Sequence, residues 1–117
     1  MKEHTHLVAE HDVWVALCLA ENGHYINWMN NLPDEVLYVP EEVFDQCAPR
    51  FLQLLGDRYY ERTGLSPDLL EALTQDLGRT TDEAQDLTVK NAAEYMLAFL
   101  INGVQKSKTH YLAFEGP

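Results

Sequence analysis

Between Glu3 and Pro49 the chain has neither lysine nor arginine, yet this stretch holds nine acids: Glu3, Glu10, Asp12, Glu21, Asp34, Glu35, Glu41, Glu42 and Asp45. Lys2 is the one base before it. From Arg50 onward ten acids face seven bases, so most of the net charge of −11 lies in the first 49 positions. Such a field repels phosphate backbones and anionic lipid and steers basic partners in. Direct nucleic-acid binding is not expected, because it calls for a basic stripe. Arg50, Arg58 and Arg62 are interleaved with Asp57 and Glu61 and read as intrahelical partners of those acids.

Other absences narrow the function further. No apolar run reaches the roughly 18 residues of a membrane span. Met1 to His6 lacks the basic-then-apolar pattern of a secretory leader. Cys18 and Cys47 have no metal-binding spacing. A disulfide between them is open, but buried free thiols of a reducing compartment fit better, so a cytoplasmic location is expected. There is no Gly-x-Ser-x-Gly, no phosphate-cradling glycine loop and no dinucleotide fingerprint. The acid pairs Asp34/Glu35 and Glu41/Glu42 are sequence neighbours, which point about 100° apart on a helix and do not converge. Cys18 sits within Leu17-Cys18-Leu19 and reads as core rather than as an exposed, electropositive nucleophile. The chain is therefore read as non-enzymatic, with no cofactor.

What is present suggests helices. The 117 residues are 46% apolar, which suits one globular domain, 1–117, with loose ends at about 1–6 and 106–117. Thr80 to Gly103 reads as the central helix. Thr80-x-x-Glu83 opens it, Val89, Ala93, Met96, Leu97 and Leu100 recur at helical spacing, and Asn102-Gly103 closes it. Before it, Ser66 caps a helix that starts at Pro67 and carries Leu69, Leu70, Leu73 and Leu77 inward to a stop at Gly78. Pro40-Glu41-Glu42 opens a shorter helix with Val43, Phe44 and Cys47 inside, and Pro49 breaks it or begins another, running to about Arg62. Leu7 to Asn22 reads as a helix closed by Gly23. Val13, Val15, Leu17 and Leu19 also alternate, however, and Asn22-Gly23 is equally a hairpin signal. The expected fold is all-α, a compact bundle of four to six helices. The alternative is a small α+β fold with an N-terminal hairpin pairing 13–20 with 24–29.

Three groups of side chains are functional candidates. His4, His6 and His11, near Glu3, Glu10 and Asp12, could make the chain a small helical metalloprotein, although no second ligand pair completes a site. Tyr95 and Phe99 widen the apolar arc of the central helix, as in a core helix or a homodimer seam. The third group is favoured. Tyr25, Trp28 and Tyr38 lie inside the base-free acidic stretch, and aromatic anchors ringed by carboxylates suit a protein interface. Glu21, Tyr25, Trp28, Asp34, Glu35, Tyr38, Glu41, Glu42 and Asp45 are the expected contact residues. The function expected is a nucleic-acid-mimicking inhibitor of immunity or phage anti-defence type. Its basic partner would be a nuclease, a toxin or a nucleic-acid-binding subunit.

Overall fold

A computed structural model describes residues 3–7, 13–23 and 33–117, and it corrects the expected all-α bundle: the fold is α+β. The described strands are β1 (Glu3–His6), β2 (Trp14–Glu21), β3 (Glu35–Pro40), β4 (Arg62–Gly64) and β5 (His110–Glu115). They form one five-stranded sheet in the order β1-β3-β2-β5-β4. β1 runs parallel to β3, and every other pairing is antiparallel. The described helices are α1 (Glu41–Cys47), α2 (Pro49–Leu55), α3 (Pro67–Glu83) and α4 (Leu87–Gln105), with a short 3-10 turn at Gly56–Tyr60.

The misreading of β2 has a physical cause. Its two neighbours, β3 and β5, occupy both of its edges. Val15, Leu17 and Leu19 pack with the helices, while Ala16, Cys18 and Ala20 belong to a second buried cluster that contains no helix residue. A strand buried on both faces reads as a continuous apolar run, and the polar alternation that would mark it disappears. The helix-friendly segment Ala16-Leu17-Cys18-Leu19-Ala20 is held extended by pairing on both sides, which outweighs a few tenths of a kcal/mol per residue of helix propensity. The α+β alternative thus fits, but β2 pairs with residues 35–40 and 110–115. The hairpin partner expected at 24–29 lies outside the described residues.

Two expected loose ends enter the same sheet. Glu3–His6 pairs with Glu35–Tyr38, and His110–Glu115 lies between β2 and β4. In β5, Leu112 and Phe114 turn toward the helices and Ala113 turns away. Phe114 meets Phe44 and Phe51 with ring centroids 5.4 Å from each, and this aromatic trio ties the sheet to α1 and α2.

The helix boundaries follow local chemistry. As expected, Pro49 is the first residue of α2, Ser66 Oγ accepts from the Leu69 N–H, and Val43, Phe44 and Cys47 are the buried face of α1. α2 ends early because Gly56 takes a positive φ of 55°. Gly78 does not stop α3, and Thr80 is no cap. Thr80 is buried in the last turn of α3 and its hydroxyl donates to the Cys47 carbonyl at 2.8 Å. The real break is at Ala84–Asp86, where the Asp86 carboxylate accepts from the N–H groups of Thr88 and Val89. Gly103 does not end α4 either. It lets the helix approach β5 so closely that a Cβ there would lie 2.6 Å from Leu112 Cδ2.

The α1–α2 corner depends on α3. Ala48 has no polar side chain to cap α2, so the Asp76 carboxylate does so from α3. Its Oδ2 accepts from the Phe51 N–H at 2.8 Å, and its Oδ1 accepts from Arg79 at 2.8 Å. One turn further along α3, Thr80 satisfies the last carbonyl of α1. Asp76 is fully buried, so removing its carboxylate strands a buried N–H. Asp76→Ala should destabilise the protein by about 3 kcal/mol in a urea titration, whereas Asp82→Ala, at an exposed position on the same helix, should cost under about 0.5 kcal/mol.

Candidate functional site

The six described carboxylates of the expected contact set fall into two groups. β3 separates them: Glu35 opens the strand and Glu41 directly follows it, about 20 Å further along. Tyr25 and Trp28 lie outside the described residues.

At one end are Glu21, Asp34 and Glu35. Glu21 is the last residue of β2 and pairs in register with His110, the first of β5. The His110 ring meets Asp34, with Nε2 2.9 Å from Oδ2. Glu35 accepts from Lys106 Nζ at 2.9 Å and lies 3.5 Å from Asn102 Nδ2. Two carboxylates of the base-free stretch therefore meet cationic or titratable groups from the far end of the sequence. Sequence reasoning missed His110, because only the pairing of β5 with β2 brings it here.

At the other end α1 carries Glu41, Glu42 and Asp45 and no basic residue. The Tyr59 hydroxyl donates to Asp45 Oδ1 at 3.1 Å, and the Glu41 carboxylate acts on the same phenol. Burial, then the charge and hydrogen bond of Asp45, then Glu41, hold this phenol above the ordinary tyrosine range. The Tyr60 ring packs 5.1 Å from Tyr59 and is 71% exposed. Asp57 and Glu61 flank the two tyrosines and are exposed. Arg58 lies between them in sequence and donates to the Leu54 carbonyl. The helix expected to run to about Arg62 ends at Leu55, and Tyr59 and Tyr60 lie instead in the 3-10 turn that starts at Gly56.

Tyr38 sits at the same end on the helix-free face of the sheet. His6 stacks on it at 4.3 Å, and Trp14 meets both rings edge-on, at 4.9 Å from His6 and 6.4 Å from Tyr38. His4 also touches Tyr38, at 6.2 Å. In this way the two described N-terminal histidines join an aromatic cluster, and His11 lies outside the described residues. Trp14, Ala16, Tyr38, Glu115 and Gly116 border a shallow cavity of about 220 Å³ beside this cluster. Tyr95 is exposed and Phe99 half-buried on α4.

Cys18 and Cys47 are free and buried. Burial pushes both thiols up to about 12, Cys18 with a smaller upward push from Glu115. Cys47 also donates weakly to the Val89 carbonyl at 3.5 Å. Neither offers a thiolate for catalysis near neutral pH. No helix of the described residues is long and apolar enough to cross a membrane. Compared with family models, with characterised proteins and with solved structures, the chain matches none.

The thiols give a direct check on this packing. With a colourless-to-yellow disulfide reagent at pH 8, neither cysteine should react within minutes in buffer, and both should react at once in denaturant. Rapid reaction of either in buffer would contradict its burial.

Proposed function

We propose that this chain is a non-enzymatic, acidic binding module that acts in the cytoplasm on a basic protein partner, such as a nuclease, toxin or nucleic-acid-binding subunit. Its contact surface is centred on α1. The observation that supports this reading is the hydrogen bond by which the Tyr59 hydroxyl is held on Asp45 of α1, with exposed Tyr60 and exposed Glu42 alongside. A tyrosine held in place loses little entropy on binding and supplies apolar area, while the carboxylates orient and accelerate a positively charged partner. Tyr38 and its stacked neighbours extend the same end of the molecule. Glu21, Asp34 and Glu35 lie at the opposite end of β3 and contribute to the long-range field rather than to this surface. Occupying a partner's phosphate-binding groove would inhibit it by exclusion, as a nucleic-acid mimic.

The test compares the unmodified chain with a Glu41→Lys, Glu42→Lys, Asp45→Lys variant, each immobilised and exposed to host lysate, with retained proteins identified by mass spectrometry. A control variant reverses exposed Asp82 and Glu94. Asp76 is unsuitable as a control because it caps α2. The expected result is a basic protein retained by the unmodified chain and the control and lost by the α1 variant. With that partner purified, association should slow at least about tenfold as salt rises from low to several hundred millimolar. Equal loss in both variants, or retention indifferent to salt, would overturn the reading.

A further inference from the structure

We propose that Glu21, Asp34 and His110 form a binding site for a divalent transition-metal ion of the zinc type, at the end of the sheet remote from α1. Among the described residues these three side chains bring one ligand atom each to within 4.8 Å of one another. A metal about 2.1 Å from each donor spaces neighbouring donors about 3.0–3.4 Å apart, in octahedral and tetrahedral geometry respectively. The 2.9 Å between His110 Nε2 and Asp34 Oδ2 already matches the shorter of these, so the pair needs almost no rearrangement to chelate.

The imidazole is oriented from behind. Thr109 Oγ1 lies 2.7 Å from His110 Nδ1. When Nδ1–H donates to that oxygen, Nε2 turns a lone pair toward the Asp34 carboxylate. Two lone pairs at 2.9 Å require a positive centre between them, either a proton or a metal ion. A hydrogen-bond partner on the second ring nitrogen is the usual way a ligating histidine is fixed and its basicity raised.

The scaffold holds the donors in place. Glu21 and His110 face each other across an antiparallel register, and the strands stay clamped beyond it. Asn22 N–H donates to the Thr109 carbonyl at 2.8 Å, and Asn22 Nδ2 donates to the Lys108 carbonyl at 3.1 Å. Two carboxylates and a neutral imidazole carry −2, which a dication cancels. Glu35, next to Asp34 in sequence, is engaged by Lys106 and would not compete for the ion. Three protein donors at a partly exposed site leave the remaining positions to water. The mixture of one nitrogen with two carboxylate oxygens suits zinc better than calcium or magnesium, which prefer all-oxygen sets.

This site stands apart from the α1 surface, so either proposal can fail alone. The test uses the full chain, freed of any affinity tag and stripped with chelator, titrated with zinc chloride by calorimetry. One ion per chain is expected, with a Kd of about 10 μM or tighter. His110→Ala and Asp34→Asn should each weaken binding at least about tenfold, while a His4→Ala, His6→Ala double variant should bind as the parent does. Should circular dichroism show His110→Ala unfolded, Glu21→Gln, at an exposed strand end, carries the same test with a loss of about fivefold or more. X-ray absorption at the zinc edge should show one imidazole among oxygen neighbours. No saturable binding below roughly 100 μM, undiminished binding in the folded His110→Ala or Glu21→Gln chain, or a zinc spectrum with two or more imidazoles would overturn the proposal.

Discussion

A single buried carboxylate holds the helical layer in register. Asp76 reaches from α3 to the unpaired N–H at the start of α2, and Arg79 balances its charge from the solvent side. α1 and α2 are each seven residues long, too short to persist alone in water. They exist because α3 supplies what their sequences lack: a cap for one and, through the Thr80 hydroxyl, a donor for the last carbonyl of the other. The corner they form sets Phe44 and Phe51 against Phe114 and points the acids of α1 outward. A charge placed in the core thus decides which charges are displayed on the surface.

The helices were largely legible because their signals are local. Proline at the start of α2, Ser66-Pro67 at the start of α3 and the leucine spacing that follows are all statements about residues within one or two turns. The strands were less legible: β2 was read as a strand only in the α+β alternative, and three of them were obscured for different reasons. β2 is apolar on both faces, β1 is four polar residues, and β5 follows a helix end that already looked like a terminus. Helix boundaries failed where a polar side chain was spent inward: Thr80 resembles a cap in sequence but bonds a carbonyl 33 positions earlier.

The acidic segment shows the same division between local and distant information. That Glu41, Glu42 and Asp45 share one short helix could be read from Pro40 and the spacing alone. That Glu21, Asp34 and His110 converge could not, since their nearness depends on strands 76 positions apart in the chain. Charge asymmetry along a sequence describes a surface only when the segment folds on itself. Here β3 passes through the middle of the domain and carries its acids to opposite ends.

The placement of β5 also governs how the molecule can be made. A ribosome releases β2 and β3 early, and these can pair at once, but the second edge of β2 has no neighbour until residues 110–115 emerge. For roughly ninety codons the nascent chain therefore carries an open, apolar strand edge whose rightful occupant has not been synthesised. Such late closure raises contact order and slows folding. Until that strand arrives, the free edge of β2 is where this fold is most open to mispairing.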